Sequence, residues 1–273
     1  MKILIACDME GITGVVNWDQ VTPGLAEYER FRRLMTADVN AAIAGAYAGG
    51  ADPVVVTDGH WNGTNLLVEA LDERARLNSG ASSPFSMMEG IENGVEAVLF
   101  VGYHARSGTQ TAVLAHTWSD TRISNLWLDE VLVGEYGLNG ALAGHFGAPV
   151  LMVTGDQAVC AQAVELLGPL ETVAVKQATS FETAECLPPA VTARLIQAAA
   201  ARAVTAQRAA PRKPYRVGRP VSVRIEFVHP DQADRAERLP GAQRLDGRQV
   251  RLEAPDMAAA HLAFRAAVKQ AAA

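Results

Sequence analysis

The stretch Lys2-Ile3-Leu4-Ile5-Ala6-Cys7-Asp8-Met9-Glu10-Gly11 sets a short apolar run directly against two acids and a glycine. A run of this length without polar alternation reads as a strand buried on both faces, the mark of a parallel sheet. Four runs of the same character follow at residues 53–57, 97–102, 149–154 and 171–175. Helical patterns separate them. Residues 27–48 carry Phe31, Leu34, Met35, Val39, Ile43 and Ala46 at helical spacing and stop at Gly49-Gly50, which supply a left-handed cap. Residues 66–75, 135–145, 156–167 and 188–206 read as further helices. Strands alternating with helices predict an α/β fold, a mostly parallel sheet flanked by helices. Residues 124–133 interrupt the alternation as a hairpin with Asp129-Glu130 at its turn.

The texture changes after Ala209-Ala210-Pro211-Arg212-Lys213-Pro214, whose prolines and charges suit a linker. Beyond it Val221, Val223, Ile225 and Phe227 alternate with Ser222, Arg224 and Glu226, as in an antiparallel strand with one wet face. Residues 249–253 alternate likewise, and 257–272 form an alanine-rich amphipathic helix. The expected division is an α/β domain over residues 1–210 and a smaller C-terminal α+β domain over 211–273.

Composition narrows the function classes. The 273 residues are 49% hydrophobic and 20% charged, which excludes disordered, collagen-like and coiled-coil readings. The net charge of −6 gives no basic field for nucleic acid. Arg30, Arg32 and Arg33, and Arg212 with Lys213, read as solvated faces. No apolar stretch approaches the ~20 residues of a membrane span, and the opening run is too short for a signal peptide. Cys7, Cys160 and Cys186 form no C-x-x-C pair and read as reduced, buried packing residues. These points favour a cytoplasmic protein without a nucleic-acid or membrane partner.

In an open α/β sheet, ligands bind beyond the carboxyl ends of the strands. The first run ends in Asp8-Met9-Glu10-Gly11, the second in Asp58-Gly59-His60 and the third in Tyr103-His104-Ala105-Arg106. The hairpin leads into Gly134-Glu135-Tyr136-Gly137, and the fourth run into Gly155-Asp156. Acids delivered to one edge repel unless a cation offsets them, so the convergence points to a divalent metal. Asp8, Glu10, His60, His104 and Glu135 mix carboxylate with imidazole, which suits zinc and, less well, manganese. Five ligands exceed the three a mononuclear catalytic zinc takes from protein. Two ions about 3.5–4 Å apart would use them all, with Asp8 as the bridge. Taken singly, each residue also has a plainer role, as a turn former, a hydrogen-bonded loop histidine or an acid in a helix's first turn.

Compact signatures of other chemistries are missing: H-E-x-x-H and G-x-S-x-G do not occur, and no lysine follows a glycine to make a P-loop. His116 is the remaining candidate for acid–base or nucleophilic work, its alternative being a strand histidine held by local hydrogen bonds. His145 fits a helix C-terminus. His229 and His261 lie in the C-terminal segment with no acidic neighbours that suggest ligation.

At these residues the sequence resembles the DppA-like D-aminopeptidases. The resemblance rests on Asp8-Met9-Glu10-Gly11, Asp58-Gly59-His60, Gly102-Tyr103-His104-Ala105-Arg106 and Val133-Gly134-Glu135-Tyr136-Gly137-Leu138-Asn139. It extends over nearly the whole chain through Pro84-Phe85-Ser86-Met87-Met88-Glu89-Gly90, Pro149-Val150-Leu151-Met152-Val153, Val175-Lys176-Gln177 and Cys186-Leu187. It implies a dinuclear zinc aminopeptidase, with two Zn2+ per chain, that removes an N-terminal residue, typically a D-residue, from short peptides. By position, Asp8 would bridge the ions, Glu10, His60, His104 and Glu135 would complete their coordination, and His116 would match the family's proposed catalytic histidine. The resemblance also implies a ring-shaped homodecamer with active sites facing an internal channel.

His116 stands one residue further from His104 than the family pattern, which places an insertion within residues 107–114. Ala6 stands where a serine is common, Gln157 where a second acid is common, and Ser180-Phe181 where a basic residue is common. None is among the candidate ligands, and D versus L preference stays open. Two other readings also stay open: a non-catalytic dipeptide-binding accessory of a transport system, and a different dinuclear metallohydrolase. A phosphoesterase would want a basic clamp, and Arg106 is the only arginine next to a candidate ligand.

Overall fold

A computed structural model describes residues 1–80 and 83–272. Along the chain run β1 (Ile3–Cys7), α1 (Tyr28–Ala48), β2 (Val54–Asp58), β3 (Arg76–Asn78), β4 (Ala97–Val101), β5 (Ile123–Leu128), β6 (Val131–Val133) and α2 (Glu135–His145). There follow β7 (Val150–Asp156), α3 (Gln157–Leu167), β8 (Glu171–Ser180), β9 (Thr183–Cys186) and α4 (Pro189–Ala209). The chain ends with β10 (Val221–Phe227), α5 (Pro230–Ala236), β11 (Gln243–Arg244), β12 (Gln249–Ala254) and α6 (Met257–Ala271).

Seven strands form the main sheet in the order β3-β2-β1-β4-β7-β8-β9, parallel except for β9. The fold is therefore the α/β class expected. Alternation along β1 divides two cores. Ile3, Ile5 and Cys7 join Ala97, Leu99 and Val101 against α1 and α4, while Leu4 and Ala6 join Val98 and Phe100 against α2 and α3. Burial on both faces explains why these strands read as unbroken apolar runs. Gly50, at φ +90°, supplies the left-handed residue after α1.

The second sheet, β11-β12-β10-β5-β6, is antiparallel. Its β5–β6 turn holds Asp129 and Glu130 at φ +48° and +67°, the pair of positive values that a two-residue hairpin needs. Asp129 accepts from Ser222 N at 2.9 Å and Gly218 N at 2.7 Å, which fastens the hairpin to β10. The C-terminal segment thus pairs with residues 123–128 of the earlier chain, and one sheet draws strands from both sides of position 210. Its inner residues, Leu126, Val133, Val223, Ile225 and Phe264 of α6 among them, belong to the same core as α2.

Two expectations are corrected. Residues 66–75 are not a helix: a single 3-10 turn, Val68–Ala70, leads into β3. Side chains of α1 claim the main-chain groups that a helix would pair. Thr36 Oγ1 accepts from Leu67 N at 3.1 Å, Asn40 Oδ1 accepts from Asp72 N at 2.8 Å, and Asn40 Nδ2 donates to Ala70 O at 2.8 Å. The three cysteines are free, but only Cys7 and Cys160 are buried. Cys186 is exposed because it ends β9, the antiparallel strand at the sheet's edge.

Candidate metal centre

Strand order reverses at β1: the chain passes first to β2 on one side and later to β4 on the other. The carboxyl ends of these three strands meet at this switch point, where open α/β sheets form their ligand crevice. β1 delivers Asp8 and Glu10, β2 delivers His60 and β4 delivers His104. Gly11 makes the approach possible. Its N–H donates to Gly102 O at 2.8 Å, and a Cβ there would fall onto the Tyr103 carbonyl, so close backbone contact is what demands glycine at this position. Glu135 arrives as the first residue of α2, and His116 on the loop before β5, not on a strand.

All six groups are buried, Asp8 and Glu10 at 3% exposure. His60 Nδ1 lies 3.1 Å from both Asp8 Oδ1 and Glu10 Oε2. His104 Nε2 lies 3.4 Å from Asp8 Oδ2 and 3.2 Å from Glu135 Oε1. His116 Nε2 lies 3.9 Å from Glu10 Oε1 and 3.8 Å from Glu135 Oε1, and its ring stacks on that of His104 with centres 3.9 Å apart. The structure therefore brings Asp8, Glu10, His60, His104, Glu135 and His116 into one cluster. His145, His229 and His261 take no part in its contacts.

The three imidazoles share one arrangement. His60 Nε2 meets Val21 O at 2.7 Å, His104 Nδ1 meets Ala105 O at 3.1 Å, and His116 Nδ1 meets Leu114 O at 2.8 Å. A carbonyl only accepts, so in each ring that nitrogen carries hydrogen and the opposite nitrogen turns its lone pair toward the carboxylates. Fixing a histidine's tautomer through its far nitrogen is how proteins orient a metal ligand. Among the described residues, His104 Nε2 and Glu10 Oε2 are buried without a hydrogen-bond partner. Orphaned buried acceptors of this kind call for a cation. Two overlapping sets, Asp8-Glu10-His104 and His104-His116-Glu135, each place their ligand atoms within 4.8 Å of one another.

Electrostatics lead to the same conclusion. Burial favours the neutral form of every group here, yet His104 and His60 hold the Asp8 carboxyl well below its usual range. Against burial, Glu135, Glu10 and Asp8 hold the imidazoles of His60 and His104 well above theirs. Asp8 and Glu10, both held below the usual carboxylate range against burial, demand positive charge beside them, which protons on the imidazoles or bound dications can supply.

In the sequence Lys176 is only part of a shared motif, and the structure gives it a definite task. Fully buried on β8, it donates from Nζ to the carbonyls of Glu10 at 2.6 Å, Ile12 at 3.0 Å and Val15 at 2.7 Å. All three ammonium hydrogens thereby hold the loop that carries Glu10. Burial pulls its pKa down to about 8, with Asp156 and Asp38 opposing that shift. The legible signal was a lone lysine inside an apolar strand. Asp156 similarly caps α3 through Ala158 N and Val159 N and accepts from Val113 N at 2.8 Å, steadying the loop before His116. Gln157 ties the same loop down by donating to Thr111 O at 2.8 Å.

The cluster floors a cleft of about 820 Å³, walled by Trp18, Trp61, Trp118, Arg122, Arg265 and Lys269 among others. That volume suits a small peptide. A carboxylate and imidazole set at the switch point of a mostly parallel α/β sheet is the architecture of a metal-dependent hydrolase. The chain belongs to the D-aminopeptidase family, whose pattern it matches over residues 1–266. It is 38% identical over 266 residues, 97% of this chain and 95% of the relative, to the D-aminopeptidase of Bacillus subtilis (strain 168). Its fold superposes with a TM-score of 0.95 on a solved structure described as the zinc-dependent D-aminopeptidase DppA from Bacillus subtilis, a self-compartmentalizing protease. That pair shares 37% identity and covers 100% of this chain and 98% of the other.

Proposed function

We propose that this chain removes the N-terminal residue, a D-residue by family preference, from short peptides as a zinc-dependent aminopeptidase with two zinc ions per chain. The observation that carries the reading is the buried cluster itself, in which three anchored imidazoles face three buried carboxyl groups. The donor chemistry fits zinc. Asp8, whose two oxygens face His60 and His104 separately, would be the residue to hold both ions, with Glu10, His60, His104 and Glu135 as the remaining ligands.

When bound, the ions supply Lewis acidity that polarises a carbonyl and makes water nucleophilic near neutral pH. The protein supplies the rest. Main-chain carbonyls at Val21 and Ala105 fix the imidazoles, and the Trp118 N–H donates to Glu135 Oε1 at 2.6 Å, which orients that carboxylate. His116 is the catalytic residue. Its Nδ1–H is locked on Leu114 O, which turns the Nε2 lone pair to the cleft, where it can take a proton from the attacking water and pass it to the leaving nitrogen. The substrate's free amine rests against the acidic floor.

Zinc analysis of the purified protein together with an assay of D-Ala release from D-Ala-D-Ala tests this reading. Two zinc per chain and product release are expected. Zinc-loaded protein that releases no product would favour a dipeptide-binding role instead.

We also assign the chain to the cytoplasm, on its three free thiols, and to a ring-shaped homodecamer, on its likeness to a self-compartmentalizing relative. No helix among the described residues is long and apolar enough to cross a membrane. Light scattering in solution checks the decamer, which a monomeric mass would refute.

A further inference from the structure

Three of the chain's four tryptophans, Trp18, Trp61 and Trp118, line the one cleft that holds the cluster. Trp18 meets His116 edge-on, with ring centres 5.4 Å apart. Trp61 follows His60 directly, its ring centre 6.3 Å from the imidazole, and is 63% exposed. Trp118 follows the His116 loop; one side of its ring packs edge-on against Phe264 and His261 of α6, with centres 5.2 and 6.0 Å apart, it also lines the cleft, and its main-chain N–H holds Glu135.

The backbone at two of these positions is strained. Trp61 stands at φ +51° and Trp118 at φ +63°, and Ser86 on the same wall stands at +49°. Bulky side chains avoid this left-handed region, and residues held there gather at binding and catalytic sites. Two large indoles are thus kept in conformations that glycine would adopt freely, beside the candidate ligand His60 and the loop that orients Glu135. An exposed indole facing a cleft also leaves apolar surface in water until something covers it.

Resting on the aminopeptidase reading, we propose that the three rings receive a bulky aromatic side chain flanking the scissile bond. The preferred substrates are then short peptides with aromatic residues rather than alanyl peptides. An alanine methyl reaches too little of this surface to cover it, whereas a phenyl ring packs edge-on or offset against indole. Apolar pockets discriminate by size over roughly 10–200-fold for small differences, so a preference of tenfold or more for phenylalanyl over alanyl peptide is expected.

The experiment compares kcat/KM for D-Phe-D-Phe and D-Ala-D-Ala, and for their L counterparts, on zinc-loaded wild type, Trp61→Ala and Trp118→Leu. Wild type is expected to favour the phenylalanyl peptide, and each variant to lower that ratio by about tenfold. A second readout needs no turnover: the zinc-loaded His116→Ala protein is titrated with the same dipeptides while tryptophan emission is followed, and tighter binding of the phenylalanyl peptide is expected. Cleavage of both peptides without preference, or a ratio that neither variant moves, overturns the aromatic site and leaves the aminopeptidase reading standing. Preferential binding of the phenylalanyl peptide with cleavage of neither supports the aromatic site and defeats the aminopeptidase reading.

Discussion

Glu226 on β10 meets Arg248 at 2.5 Å and accepts from Asn125 at 2.7 Å, on the face of the second sheet that water reaches. Glu10, just past β1 of the main sheet, is 3% exposed and has only imidazoles, not a lysine or arginine, paired to its carboxylate. It faces His60 and His116 at 3.1 and 3.9 Å, and its Oε2 is left without a hydrogen-bond partner. The same side chain is solvated in one sheet and stranded in the other. The second sheet covers one face only, so its charges stay on the wet side, as with Arg224 stacked 3.8 Å from the Trp127 ring centre and paired to Glu130 at 2.7 Å. The main sheet is covered on both faces, so the polar residues at its carboxyl edge must satisfy one another or a cation. Single unpartnered atoms also occur on the second sheet, such as Nε of Arg224 and Arg251, so the mark of chemistry is several carboxylates and imidazoles crowded together with orphaned acceptors among them.

The sharpest way to break this comparison is His116→Ala. Turnover of a dipeptide is expected to fall at least ~10²-fold, as for loss of a general acid or base, while zinc content measured by elemental analysis stays unchanged. Zinc lost from that variant would make His116 a ligand instead. Next comes Lys176→Met, which strips all three hydrogen bonds from the loop bearing Glu10. It is expected to cost on the order of 3 kcal/mol in a thermal or denaturant melt and to weaken zinc binding roughly 10–100-fold by titration. Wild-type zinc affinity in a folded Lys176→Met protein would remove Lys176 from the support of the site. The smallest effect is expected from Glu226→Gln, below about 1 kcal/mol by the same melt, because Arg248 is 44% exposed and surface pairs are worth little. A loss as large as that of Lys176→Met would erase the contrast between the two sheets.

Much of this organisation was legible in residue order. The unbroken apolar runs of β1, β2, β4 and β7 announced burial on both faces, whereas β8 leaves Thr172 exposed beside buried Val173 and Val175; the acids and histidines that end the first runs named the residues the fold gathers. Other features lay outside local pattern. Residues 66–75 carry helical spacing, but Thr36 and Asn40 of α1 capture their main-chain groups. β3 and β9 are short edge strands with little periodicity of their own. The pairing of β10 with β5 joins segments about a hundred residues apart, and alternation within each strand says nothing of its partner. Lys176 illustrates a further limit: its role appears only once the loop of residues 10–15 is seen folded over it.

That distant pairing also orders events while the polypeptide is being made. The His116–Trp118 loop leads straight into β5, whose neighbour β10 leaves the ribosome only after roughly a hundred more residues, so β5 must wait with one hydrogen-bonding edge open. Closing so long a loop is slow and leaves a sticky edge meanwhile. The candidate site is therefore finished last, when the α6 residues Arg265, Val268 and Lys269 complete the wall of its cleft.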